Sequence, residues 1–171
     1  MQSSTLLLGV VLAVCGCASV APPAPVAPPA SPAPAAPADQ RAAVPAALAV
    51  ERQWLQSWFQ GTPVLIVQRT DGTVSVDVPR EFCFDPGRSS VKPALAVVLN
   101  KVAESLRRLP LARLSLLAAP EDATGTAALA LQRAVEVHKH LLSHGVPAAH
   151  LGKPTAAVAA AVQLRIAAAP P

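Results

Sequence analysis

Few side chains in this 171-residue chain have types and spacings that could do chemistry together. No Ser-His-Asp or Cys-His arrangement stands out, and there is no Gly-rich phosphate loop. His138, His140 and His144 sit close together in a helical stretch. At i and i+4, His140 and His144 could share a zinc ion on one face, but no third ligand follows at suitable spacing, so solvated histidines are the better reading. Glu121 and Asp122 are adjacent in a turn before the same helix. By themselves they are an acidic helix start, where carboxylates favour the positive end of the dipole and Asp122 or Thr124 could cap. Arg133, beside small Ala134, is by itself an ordinary surface arginine. Cys83 lies between Phe82 and Phe84 in a strand pattern, where a buried, inert thiol is expected.

Two further cysteines, Cys15 and Cys17, follow the apolar run Leu6–Val14. Nine residues fit the core of a secretory signal and are too short to span a bilayer. The stretch Val14-Cys15-Gly16-Cys17-Ala18-Ser19 resembles the bacterial lipobox, with small Gly16 before the cysteine that receives lipid. That resemblance implies removal of residues 1–16, acylation of Cys17, and outer-membrane sorting by Ala18. Several acyl chains, at roughly 0.8 kcal/mol per buried CH₂, anchor firmly. With Cys17 acylated only Cys83 remains, so no intramolecular disulfide is expected.

Residues 21–38 are almost nothing but proline and alanine, and no charged residue precedes Asp39. Residues 17–40 are therefore expected to be an extended polyproline-II tether, reaching roughly 70 Å at about 3.1 Å per residue. All 14 Lys/Arg and all 10 Asp/Glu fall in the remaining 133 residues, enough for about one domain. An apolar fraction of 52% is inflated by alanine, and no run reaches the length of a spanning helix. The net charge of +4 is mild and interspersed. With no Tyr and only two Trp and three Phe, the basic–aromatic surface that single-stranded nucleic acid needs is lacking, so no nucleic-acid partner is expected.

The elements that must position the site follow from periodicity. A helix is expected after Pro45, ending near Gly61, with Val50, Trp54, Leu55 and Trp58 as its buried stripe. Val64–Arg69 and Thr73–Val78 flank Asp71-Gly72 as a hairpin with Val74, Val76 and Val78 inward, so residues 41–79 form a helix and hairpin. Residues 80–168 then read strand, helix, strand, helix, strand. The first strand is Glu81–Asp85. Val91, Leu95, Val98, Leu99, Val102, Leu106 and Leu109 form a one-sided helix, with Lys92, Lys101, Glu104 and Arg108 opposite. Ala112, Leu114 and Leu116 alternate as a strand. The next helix, about Thr126 to His144, buries Ala130, Ala134, Val137 and Leu141, and Gly145 ends it. Val162, Leu164 and Ile166 alternate as the last strand. The fold class is α/β, a two-layer sandwich with a βαβαβ core.

Together these segments resemble the C-terminal domain of outer-membrane protein A (OmpA-like) and the peptidoglycan-associated lipoproteins. The likeness rests on Phe82-Cys83-Phe84-Asp85, on Val91-Lys92-Pro93-Ala94-Leu95, and on Leu129-Ala130-Leu131-Gln132-Arg133-Ala134, followed by Gly145-Val146-Pro147-Ala148. It implies a non-enzymatic protein without a cofactor that binds peptidoglycan through its diaminopimelate stem peptide. Asp122, with Glu121 beside it, would meet the ammonium, and Arg133 the carboxylate. A zwitterion asks for one carboxylate and one guanidinium fork at fixed separation. Where the family has Gly-His-Thr-Asp, this chain has Ala119-Pro120-Glu121-Asp122, and Asp122 to Arg133 is about four residues, roughly one helical turn, shorter. The expectation is therefore weak binding by a lipid-anchored protein on the periplasmic side of the outer membrane. The alternative is an envelope protein–protein module that keeps the fold without the glycan site.

Overall fold

The computed structural model describes residues 37–118, 126–156 and 161–169. Cys17, the leader, the tether before residue 37, and the Glu121-Asp122 turn lie outside the described residues.

Helix α1 spans Pro37–Trp58 and runs through Pro45, so it starts inside the segment expected as tether. Of its expected stripe, Leu55 is buried and Trp54 packs partly buried against the core, while the other two positions face outward. Val44, Leu48, Leu55 and, just past the helix end, Phe59 are buried, whereas Val50 is 64% and Trp58 54% exposed. The stretch carries more apolar residues than one face can bury, and the stripe through Val44, Leu48, Leu55 and Phe59 faces the core.

Strands β1 (Leu65–Gln68) and β2 (Val74–Pro79) form the expected hairpin, pairing Ile66 with Val76 and Gln68 with Val74. Arg69 donates to the Thr73 carbonyl at 2.8 Å and Gly72 to the Arg69 carbonyl at 3.0 Å. This closes a three-residue turn in which Gly72 takes φ +80°, the left-handed geometry a side chain resists. The hairpin belongs to the main sheet, because β2 pairs along its length with β5.

The strand expected at Glu81–Asp85 is not formed. Pro79 ends β2, Arg80–Phe82 make one 3-10 turn, and Cys83 donates back to the Arg80 carbonyl at 2.9 Å. Cys83 and Phe84 are both buried in this turn rather than in a paired strand. Only a single bridge, Phe84 to Val91, remains of that pairing. β2 therefore fills the place of the first core strand.

α2 (Pro93–Arg108) buries Leu95, Val98, Leu99, Val102 and Leu106 as its spacing requires, starting on a proline whose missing N–H costs nothing in a first turn. β3 (Ala112–Ala118) buries Ala112, Leu114 and Leu116. α3 (Ala127–Ser143) is capped by Thr126, not by the residues expected, its hydroxyl accepting from Leu129 N–H at 3.2 Å. Its C-terminus closes with Gly145 donating to Leu142 and Val146 to Leu141, and Gly145 at φ +79°. A two-residue strand unanticipated from sequence, β4 (Thr155–Ala156), pairs parallel to β3. β5 (Ala161–Ala168) completes the sheet in the order β1-β2-β5-β3-β4.

Register places Val76, Leu164 and Leu116 side by side, and Val74, Ile166 and Leu114 beside them. The inward face of three neighbouring strands is thus aliphatic, and the three helices pack on it. The result is a two-layer α/β sandwich. Ser75, Asp77, Gln163, Arg165 and Arg113 take the alternate positions on the opposite face.

Cys83 is fully buried, with its thiol against the carbonyls of Val78 and Pro79 at 3.4 and 3.3 Å. Burial pushes its pKa up to about 12. An ordinary thiol ionises near 8.5 in the unfolded chain, so above that pH the unfolded state holds fewer protons than the folded one. This contribution to stability therefore falls as pH rises from about 8.5 toward 12. Iodoacetamide at pH 8 should leave the native thiol unmodified and label it fully in denaturant. Rapid labelling of the folded protein would show that the thiol is accessible.

Candidate functional site

Arg133 is the one residue of the expected ligand site within the described residues, and it is not a surface arginine. It is 1% exposed. Its position explains this: Ala130, Arg133, Ala134, Val137 and Leu141 step by 3, 1, 3 and 4, a single helical stripe facing the core. Ala130 and Ala134 are both small, leaving room for a long side chain to extend between them and the neighbouring loop. Reading the stripe from its apolar members alone missed Arg133, although the spacing includes it.

The guanidinium is spent on the loop that joins the 3-10 turn to α2. Its Nε donates to the Arg88 carbonyl at 2.9 Å and its Nη2 to the Asp85 carbonyl at 3.3 Å. Its Cζ lies 4.9 Å from the centre of the Phe84 ring, within cation–π range. A buried charge needs such partners, because an isolated one costs several kcal/mol.

Lys92 closes the same loop from the other end. Its backbone N–H donates to the Cys83 carbonyl at 2.9 Å, its Nζ donates to the Glu81 carbonyl at 3.0 Å, and Asp85 Oδ1 lies 3.5 Å from Nζ. The motif Phe82 to Leu95 is thus a tight loop at the start of α2, with Arg133 from α3 as its buried peg. Asp85 keeps its carboxylate largely exposed at the loop edge.

His140 and His144 are engaged with each other and with α2. The rings of His140 and His144 stack with centroids 4.3 Å apart, and His140 Nε2 is 2.8 Å from Asn100 Oδ1 of α2. Burial first, and the neighbouring His144 second, hold the His140 pKa below the usual imidazole value. Their role is to join α3 to α2, where Arg107 also donates to the His144 carbonyl at 3.0 Å. Among the described residues no group of three His, Cys, Asp or Glu could hold a metal. Among them, too, no helix is long and apolar enough to cross a membrane.

No family model matches the chain, and no curated protein does. Solved structures do. A protein described as MotB-like from Desulfovibrio vulgaris superposes with a TM-score of 0.63 at 17% identity, over 77% of this chain and 97% of that one. The periplasmic domain of Helicobacter pylori MotB gives a TM-score of 0.53 at 15% identity, over 61% of this chain and 86% of that one. The fold is OmpA-like. At these identities the likeness fixes the path of the chain and leaves the site to be argued from its own residues. Arg133 meets the 82–95 loop from the second turn of α3, eleven residues after Asp122 in sequence.

Proposed function

We propose that this protein is an outer-membrane lipoprotein whose periplasmic domain links the membrane non-covalently to peptidoglycan. Residues 1–16 are the signal peptide, Cys17 carries the lipid, and the Pro/Ala segment spans the gap to the domain. The diaminopimelate stem peptide binds where the Asp122 turn meets the start of α3, with Asp122 and Glu121 toward its ammonium and Arg133 toward its carboxylate. The observation that carries this reading is the lodging of Arg133. Its guanidinium is held in one orientation by the loop that begins Phe82-Cys83-Phe84-Asp85, and a planar fork fixed in advance is what recognition of a carboxylate favours. The OmpA-like fold, shared with periplasmic domains, supports the compartment.

The same guanidinium also favours a second reading. Two backbone carbonyls already occupy it, so a carboxylate reaches it only by being buried next to them. In that case the fold serves as an envelope protein–protein module without glycan binding. Sedimentation with purified sacculi at low salt separates the two. Binding that weakens in Asp122→Asn and Arg133→Lys supports the first; protein that stays wholly in the supernatant supports the second. Mass spectrometry of the mature N-terminus should show acylated Cys17 and loss of residues 1–16. A soluble product beginning at Met1 would remove the lipoprotein assignment.

A further inference from the structure

The sheet ends in two unlike edges. One is β4, only two residues long, and shortness protects an edge from stray pairing. The other is β1, where Leu65, Ile66 and Val67 follow one another with no charge, proline or bulge among them. The hairpin sets which way its backbone faces. Arg69 N–H bonds the Thr73 carbonyl, so Val67 and Leu65, two and four residues back, turn their N–H and C=O groups toward Ser75 and Asp77 of β2. Ile66 and Gln68 turn theirs to the open side. Gln56 Nε2 takes up one of these groups, the Ile66 carbonyl, at 2.8 Å. The end of α1 leaves the strand uncovered, with an open groove of about 390 Å³ between Gln56, Phe59 and Gln60 and residues 64–67. On the outer face of the sheet, Leu65 is 61% and Val67 51% exposed.

The charges at the two ends of this edge select its occupant. Exposed Arg69 stands at one end, and Asp77, beside Leu65 in register, stands at the other. Neither makes an ion pair among the described residues. Asp77 Oδ1 accepts from Ser75 Oγ at 2.9 Å, and the turn carboxylate of Asp71 is already bonded to Thr73. Arg69 and Asp77 share the outer face but lie four residues apart along the strand, roughly 13 Å, too far to meet within one chain. An antiparallel second copy reverses that order. With Val67 opposite its own twin, the open-side groups of Ile66 meet those of Gln68 in the other copy, and the reverse. Leu65 then faces Arg69 of the other copy, whose alkyl stem lies on the leucine while its guanidinium reaches Asp77. The twofold axis repeats each of these contacts. A parallel copy would instead set like charge beside like.

We infer that β1 pairs antiparallel with β1 of a second copy of this chain, joining two sheets into one across a twofold axis at Val67. The shared strand is short and the Gln56 bond must be given up, so the association is weak and concentration-dependent. The test uses the full chain with Cys15→Ser and Cys17→Ser, which leaves buried Cys83 as its one native thiol. Sedimentation velocity from roughly 5 to 500 μM should show monomer and dimer in equilibrium. Val67→Lys should abolish the dimer while the urea midpoint stays near that of the parent. Arg69→Asp and Asp77→Arg should each weaken it roughly threefold to tenfold, and the double exchange should restore it. Val67→Cys should cross-link on oxidation, since facing residues of a non-hydrogen-bonded pair lie within disulfide reach. Arg113→Cys, exposed on β3 away from the edge, should stay monomeric. A wild-type edge that gives no dimer at the highest concentration overturns the inference. So does a dimer that Val67→Lys leaves intact, or cross-linking at Val67 no faster than at Arg113.

Discussion

Arg133→Ala should lower the unfolding free energy by about 2–4 kcal/mol and abolish co-sedimentation with sacculi. The stability loss comes from the loop, not from a ligand. Removing the guanidinium leaves the carbonyls of Asp85 and Arg88 without its two donors and strips the cation from the Phe84 ring. It also opens a void between α3 and the 85–88 loop, since this side chain is among the largest fully buried ones. Arg133→Lys separates the two roles. A lysine keeps the charge and one donor but lacks the planar fork, so it should recover part of the stability and little of the binding. Urea unfolding and sacculus sedimentation on the same two variants read both effects. Equal stability of Arg133→Ala and wild type would mean that the peg does not hold the loop. Binding by Arg133→Ala at the wild-type level would put the ligand site elsewhere.

Arg133 also shows where the sequence was legible and where it was not. α2, β3 and β5 could be read because their apolar and polar residues alternate with strong contrast, as in Val162, Leu164 and Ile166 between Gln163 and Arg165. Phe82-Cys83-Phe84 offers no such contrast, since cysteine behaves as a small apolar residue, and a period of two cannot be told from a turn. α1 offers too much apolar surface. Val44, Leu48 and Phe59 compete with Val50, Trp54 and Trp58 for the face that carries Leu55, and the large area of the indoles favours the tryptophans. Partners on α2 settle the choice, because Lys101 and Arg108 give the indoles a polar environment that the sheet lacks. β4 is only two residues long and is held by pairing with β3, with Thr155 Oγ1 donating to the Leu116 carbonyl at 2.9 Å. Nothing local encodes it. For Arg133 the helical spacing was present, but a charged residue on a core stripe is normally discounted, and its justification lies in a loop about 45 residues earlier.

Leu99→Ala should be the most damaging of the simple core truncations on α2, at about 2–5 kcal/mol. Leu99 is fully buried midway along the helix, with Leu95, Val98, Val102 and Leu106 on the same stripe. The helix packs against three elements that are separately fixed: β3, α3 and α1. Such walls relax little, so the cavity term adds to the lost transfer energy of the removed methyl groups. Lys101, two residues on, is a useful contrast for a reason its polar face did not announce. It bridges Glu104 and both indoles, so Lys101→Ala should cost about 0.5–1 kcal/mol instead of being neutral. Leu131, exposed on α3, supplies the neutral reference, with Leu131→Ala expected within about 0.5 kcal/mol of wild type. Urea midpoints at constant m-value should therefore fall in the order Leu131→Ala, Lys101→Ala, Leu99→Ala. A loss at Lys101 as large as that at Leu99 would mean that the α1–α2 lattice, and not the aliphatic face on the sheet, holds this layer of the domain together.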